Sequence, residues 1–340
     1  MTKVASKPAS ATPPAPAPTK PFIGIDLGGT NMQIGVVSPQ MKMLGQAKRK
    51  TKAVEGFDAV LQRISEGVLE ACQLAGLMPS DVGGIGIGAP GVIDPATGIV
   101  HEAPNMRWND APLGEALSKK MRCPVTVDND VNVAIYGENA LGAGKQSKNV
   151  MGIWIGTGIG AGLVLDGKLF YGHFFSAGEI GQTILFPFHP LGGRTLEDNA
   201  SRTNITNRII KLINANHKSK LTDELGPDPD GWSKDVKSKA IAKHYRGGER
   251  EDELVVQVVD AAAEMVAISV ANAVTLLSLE RVVLGGGLTE ACGKQFVERV
   301  QKHVKAFVFP KQCQRVDIVA SKLEDAAGIY GAALLAMEKA

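Results

Sequence analysis

The chain has 340 residues, 44% hydrophobic and 21% charged, which excludes wholesale disorder and leaves room for about two domains. Its 37 basic and 35 acidic residues nearly cancel to a formal charge of +2, so there is no basic excess for tracking a nucleic-acid backbone. The four cysteines (Cys72, Cys123, Cys292, Cys313) are isolated, which argues against a disulfide framework or a cysteine-rich zinc site and fits a reducing cytoplasm.

Met1 to Pro21 is mostly Ala, Pro, Ser, Thr and Lys with no apolar h-region; it reads as a mobile, partly polyproline tail, not a secretory signal. Phe22–Asp26 and Met32–Val37 are β-type runs separated by Leu-Gly-Gly-Thr-Asn, which predicts a hairpin with glycines at its turn. Apolar residues at helical spacing (Val60, Ile64, Val68, Leu69, Cys72) predict a helix over Gly56 to Leu77. Short strands follow at Val82–Ile87 and Pro124–Asp128, the second feeding a helix from Val131 to Leu141. Val150–Ile155 and Gly160–Leu165 then repeat the opening pattern of strand, glycine turn and strand. Leu196 to Asn214 reads as one helix, and His217 to Asp252 as polar loops with a helix around Lys234–Tyr245. Val255 to Leu279 is a long buried helix, because Gln257, Asp260, Glu264 and Asn272 interrupt any membrane-length apolar run. A strand at Arg281–Leu284, a glycine triplet and a further helix come next; a strand at Arg315–Ala320 and an amphipathic helix from Ala326 to Lys339 close the chain. The alternation predicts α/β layers, and the repeated hairpin predicts two halves built alike.

Three glycine clusters stand at strand ends: Asp26-Leu-Gly-Gly-Thr-Asn31, Gly156-Thr-Gly-Ile-Gly160 and Gly285-Gly-Gly287. Glycine there lets main-chain N–H groups converge on an anion. A dinucleotide fingerprint at Gly156 fails on context, because Ala161-Gly-Leu-Val-Leu165 is a strand where that motif needs a helix, and no P-loop is present. Two matched turns facing each other suit a clamped phosphate chain. Asp26 either holds Mg²⁺ through water or caps its turn. In Asp128-Asn129-Asp130 one residue serves as a helix cap, which leaves a carboxylate at a strand mouth to accept a proton from a hydroxyl. Glu179, Gln182 and Glu197 suit hydrogen bonding to a polyol, or are solvated side chains. The six histidines are scattered, and His189 has no ligand partner nearby, so a histidine metal site is not expected.

Together these residues resemble the ROK family (repressors, open reading frames and kinases) of the actin-like ATPase superfamily, from Phe22 to Ala340. The phosphate motifs are Ile25-Asp-Leu-Gly-Gly-Thr-Asn31 and Gly156-Thr-Gly-Ile-Gly160; between them lie Gly88-Ala-Pro-Gly91, Pro104-Asn105 and Trp108. Asn129-Asp-Val-Asn132 leads to Glu138, and Gly178-Glu-Ile-Gly-Gln182, Leu284-Gly-Gly-Gly287 and Asp325-Ala-Ala-Gly328 follow in the family's order. The resemblance implies an α/β, two-domain actin-like ATPase (ribonuclease H-like) fold with a cleft between a small domain over 22–145 and a large one over 146–325. Residues 326–340 are expected to pack back on the small domain. It implies transfer of the γ-phosphoryl of ATP to the 6-hydroxyl of a hexose, glucose first, with Asp130 as general base. Asn105, Asn129, Asp130, Glu179, Gln182 and Glu197 would line the sugar pocket. Asp26, Gly28, Gly29, Thr30, Asn31, Gly156, Thr157, Gly158, Gly286 and Gly287 would hold the nucleotide, with Mg²⁺ kept by phosphates and water near Asp26. A cytoplasmic homodimer without nucleic-acid or membrane partners is expected by analogy.

Two departures from the family pattern stand out. Gln182 replaces a histidine, and Ile184 to Glu197 lacks the cysteines of the family's zinc motif, so a structural zinc is not expected. The loop from Leu185 to Arg194 is then expected to be held by packing of Phe186, Phe188 and Leu191. The sequence leaves open another hexose (fructose, mannose, allose or N-acetylmannosamine) and a non-catalytic sugar sensor. A polyphosphate donor also stays open; it would need a basic groove that the sequence does not locate. About twenty residues precede the first hairpin, too few for the winged helix-turn-helix of the family's repressors.

Overall fold

The computed structural model describes residues 19–188, 193–226 and 236–340. Most of the Ala/Pro-rich tail, His189, Leu191 and the start of the helix expected at Lys234 lie outside the described residues. The first half runs β1 (Phe22–Leu27), β2 (Asn31–Val37), β3 (Met43–Lys50), α1 (Phe57–Leu74), β4 (Ile85–Ala89), β5 (Val92–Asp94), β6 (Ile99–Ala103), β7 (Trp108–Ala111), α2 (Leu113–Met121), β8 (Val125–Asn129) and α3 (Asp130–Leu141). The second runs β9 (Val150–Ile155), β10 (Ile159–Leu165), β11 (Lys168–Leu169), α4 (Leu196–Ala200), α5 (Arg202–Asn214), α6 (Leu221–Leu225), α7 (Ser238–Tyr245), α8 (Glu253–Leu277), β12 (Arg281–Gly285), α9 (Gly286–Cys292), α10 (Lys294–Phe307), β13 (Asp317–Ala320) and α11 (Ala327–Glu338).

Two five-stranded sheets repeat one plan, in the orders β3-β2-β1-β4-β8 and β11-β10-β9-β12-β13. In each, a hairpin (β1–β2, β9–β10) is followed by parallel strands added beside its first member. The apolar runs explain this: β1, β4 and β9 are buried on both faces, as parallel strands between helices must be. Each sheet has its own core, Ile25, Ile34 and Ile87 in the first, Ile153, Leu284 and the apolar side of α8 in the second. Although α8 is long and apolar enough to cross a membrane, twelve of its 25 residues are buried within the protein. All four cysteines are free thiols, three of them buried.

Several elements depart from the sequence reading. β3 and the three-stranded sheet β5-β6-β7 were not expected. Only Gly45 and Ala47 are buried in β3, which leaves no apolar run to betray it. The expected helix from Leu196 to Asn214 is two helices: Ser201 adopts extended ψ (152°), ends α4 and caps α5 through the Asn204 N–H. The closing helix α11 is not amphipathic; eight of its 12 residues are buried, between the first sheet and α3. Its approach is backbone to backbone, and an added Cβ on Gly86 would overlap the Ala332 carbonyl. Gly86→Ala is therefore expected to cost about 1–3 kcal/mol, read as a lower denaturant midpoint at unchanged m-value.

Candidate active site

Near the end of β1 and at the start of α3, Asp26 and Asp130 line one cavity of ≈ 160 Å³ with Gly286, Gly287, Glu290 and Asp325. Burial pushes the Asp130 carboxyl up to about 6; the Val131 N–H pulls it back and the charge of Glu179 adds to the rise. Burial, then Asp130 and Asp325, push Asp26 up to about 7, and burial followed by Asp325 and Glu324 does the same for Glu290. Oxygen donors with this excess of negative charge fit a hard divalent cation such as Mg²⁺. Among the described residues no three potential ligands converge on one point, so the fit is to an ion held through water and a ligand's phosphates beside Asp26.

The turns on either side have defined geometry. In the first, the Gly28 N–H donates to the Asn31 carbonyl (3.0 Å) and the buried Thr51 hydroxyl to the Gly28 carbonyl (2.6 Å). In the second, the Gly156 N–H donates to the Gly158 carbonyl (2.9 Å), and Arg202 donates to the Thr157 hydroxyl (3.0 Å). Gly286 has φ +85°, and a Cβ there would come within 2.7 Å of the Ile155 backbone; only glycine lets α9 start so close to the second turn. Thr30, Asn31, Thr157 and Gly287 face one groove of ≈ 1130 Å³. Sequence reasoning missed its cations, Lys50, Arg202, Lys237, Lys239, Lys243 and Arg246. Four of the six stand on α7 or flank it, in a stretch read as polar loops around a helix, where lysines carry no periodic signal.

The expected sugar residues divide in two. Asn105, on the turn Pro104–Met106, stands over Gly29, 3.7 Å from the place of a Cβ there. Glu179 is near enough to Asp130 to raise it, and its own carboxyl is raised by partial burial and then by Glu197. Gln182 Nε2 donates to Glu197 Oε1 (3.4 Å), while Glu197 Oε2 accepts the Ile159 N–H (2.7 Å) and lies against Gly158. Glu197 thus also buttresses the second turn. Asn129 is engaged mainly by the fold: its Oδ1 caps α3 at Val131 (2.9 Å) and Asn132 (3.1 Å), and its Nδ2 donates to the Gly91 carbonyl (3.1 Å), leaving one amide hydrogen for a ligand.

The expected packing of the cysteine-free loop fails at Phe188, which is 98% exposed. At the described ends of the loop, Leu185 packs against the second core, the Leu185 and Phe186 N–H groups both reach the Arg194 carbonyl, and Thr195 and Asp198 form a capping box at α4.

Two like-built sheets whose glycine turns open on one groove, with carboxylates at the strand mouth, define the actin-like ATPase fold. The profile of the ROK family matches residues 22–339, and the chain belongs to that family. It is 32% identical to a glucokinase of Thermotoga maritima over 95% of this chain and 99% of that one. A crystal structure of a ROK family glucokinase from Streptomyces griseus, in complex with glucose and AMPPNP, superposes with a TM-score of 0.80 at 28% identity, covering 94% of this chain and 99% of that one. A xylose repressor of Caldicellulosiruptor bescii is 28% identical over 91% of this chain and 76% of its own length. The glucokinase relatives support a sugar kinase.

Proposed function

We propose that the protein phosphorylates the 6-hydroxyl of glucose with ATP, Asp130 serving as general base. One observation carries this reading: the carboxylate at the start of α3 shares its cavity with Asp26 and with the glycines that open α9. Asp130 takes the hydroxyl proton as the sugar oxygen bonds the γ-phosphorus and the bond to the β-phosphate oxygen breaks. Thr30, Asn31, Thr157 and Gly287 hold the phosphates, and Asn105, Glu179, Gln182 and Glu197 orient the hexose. Bound Mg²⁺ would neutralise charge on the phosphates, and Asp26 would help hold it through water. Most of the rate enhancement is then positioning and charge stabilisation. The sensor reading is disfavoured by Asp26, Asp130 and two complete turns.

The six cations also suit an inorganic polyphosphate donor, because Lys50, Lys237 and Lys239 form no ion pair among the described residues. The test is ADP release, or hexose phosphate formation, with Mg-ATP or polyphosphate across a panel of hexoses. Turnover on a different hexose keeps the mechanism and changes the substrate. Binding of sugar without turnover with either donor supports the sensor.

A pH profile adds a second check. The base works only when ionised, and Asp130 is raised to about 6, so kcat/KM is expected to fall as pH drops through about 6. Glu179→Gln removes a negative charge that raises Asp130, so its acid limb is expected at lower pH.

A further inference from the structure

We propose that Tyr171 is a positioning residue for this reaction: its hydroxyl and the buried carboxylate of Asp128 tie the segment bearing Glu179 and Gln182 to the strand end bearing Asp130. The proposal rests on the kinase reading above. Asp128 is 3% exposed, lies outside the chemistry just described, and has no cation hydrogen-bonded to it. Lys339 acts on it only through space, and a buried carboxylate with no cation bonded to it persists only where other donors surround it. Asp128 has three: the Asn129 N–H (2.7 Å), Asn132 Nδ2 (3.1 Å) and the Tyr171 hydroxyl (2.7 Å).

Two of these are local and lock the first turn of α3. The Asn129 N–H and the Asn132 amide both bond Asp128 Oδ1, and the chain between them is Asp130 and Val131. The third donor comes from 43 residues further on, just after β11 in the other half of the molecule. Tyr171 begins a stitched turn: its carbonyl accepts the Ala177 N–H (3.1 Å), and the Gly178 carbonyl accepts the Ala161 N–H (3.0 Å). Glu179 follows directly. A rigid path therefore runs from the residues expected on the hexose, through Tyr171 and Asp128, to the turn that aims the base. Its value for catalysis is orientation: a displacement of about 1 Å at the reacting atoms costs up to about a hundredfold in rate.

Tyr171→Phe removes one hydroxyl and keeps the ring. It is assayed with Mg-ATP and hexose well below its melting temperature, beside Asp128→Asn and the double variant. The expected result is a kcat lower by about tenfold with the KM for ATP little changed, and no further loss in the double variant. A merely structural bond would lower the melting temperature and leave kcat per folded molecule within about twofold of the parent, which overturns the proposal. So do independent losses that multiply in the double variant. If Tyr171→Phe does not fold, Asp128→Asn alone reads the same kcat-against-KM split. A parent silent with every hexose overturns the kinase reading and this role together, whereas an active parent with an indifferent Tyr171→Phe overturns only the role.

Discussion

Asp130→Asn is expected to lower kcat by about a thousandfold while the KM values for hexose and nucleotide stay within a few fold. Asparagine has nearly the same shape and still offers an oxygen to the Val131 N–H, so the first turn of α3 keeps its geometry. What it lacks is a basic oxygen to receive the hydroxyl proton. The same change is expected to stabilise the protein. Burial holds the Asp130 carboxyl above its ordinary range, and its charge in turn helps raise Asp26 to about 7, so above about pH 7 the folded parent carries two carboxylates that repel. As pH rises from the ordinary carboxylate range to about 7 the folded state holds protons that the unfolded chain releases, so the parent loses stability, and the amide variant loses less because only Asp26 still contributes. Activity assays and calorimetry at pH 8 on the same preparation separate the effects: lost turnover with a raised melting temperature is the signature of a residue kept for chemistry. A variant retaining more than about a tenth of the parent kcat would move the base elsewhere, Glu179 being the next carboxylate.

The two hairpins were legible because their strands are apolar runs rich in β-branched residues and glycine, bounded by turn chemistry; Asp130 was singled out because three capping residues stand where one helix needs a single cap, and the fold places it in the cavity. The lining of the groove was not. Lys237, Lys239 and Lys243 are indistinguishable in sequence from solvated lysines, and only the placement of α7 beside Thr157 and Gly287 makes them one face. Phe188 misled for the converse reason: an aromatic residue in a loop suggests packing, yet its side chain is exposed, and main-chain bonds that any sequence can make join the described ends of the loop. Asp128 and Tyr171 illustrate a third limit, since a hydrogen bond between residues 43 apart leaves no local pattern.

Glu138 is the most consequential residue of that last kind, and Glu138→Gln is expected to cost about 3–5 kcal/mol of stability. The carboxylate is fully buried and makes four hydrogen bonds. Oε1 accepts from the Ser321 hydroxyl (2.6 Å) and from the Lys322 (2.9 Å) and Leu323 (2.7 Å) N–H groups, and Oε2 accepts the Ala143 N–H (2.6 Å). All four partners donate, so an amide must point its own donors at one set of them. Flipped one way it strands the Ala143 N–H; flipped the other it opposes two backbone donors and leaves Ser321 without its acceptor. Glu138→Asp keeps the charge but is a methylene short, and is expected to fail at the Ser321–Leu323 end. The loss reaches the site, because this loop leads into Glu324 and Asp325, which line the cavity with Asp130. One helix, α3, therefore carries Asp130, the proposed base, at its first turn and the clamp for the opposite cavity wall near its last. Urea unfolding of Glu138→Gln tests the first claim, and the KM for Mg-ATP in the surviving folded fraction tests the second. Stability within about 1 kcal/mol of the parent would mean that water replaces the carboxylate at those four donors. A destabilised variant with unchanged kinetics would confine Glu138 to holding the two sheets together.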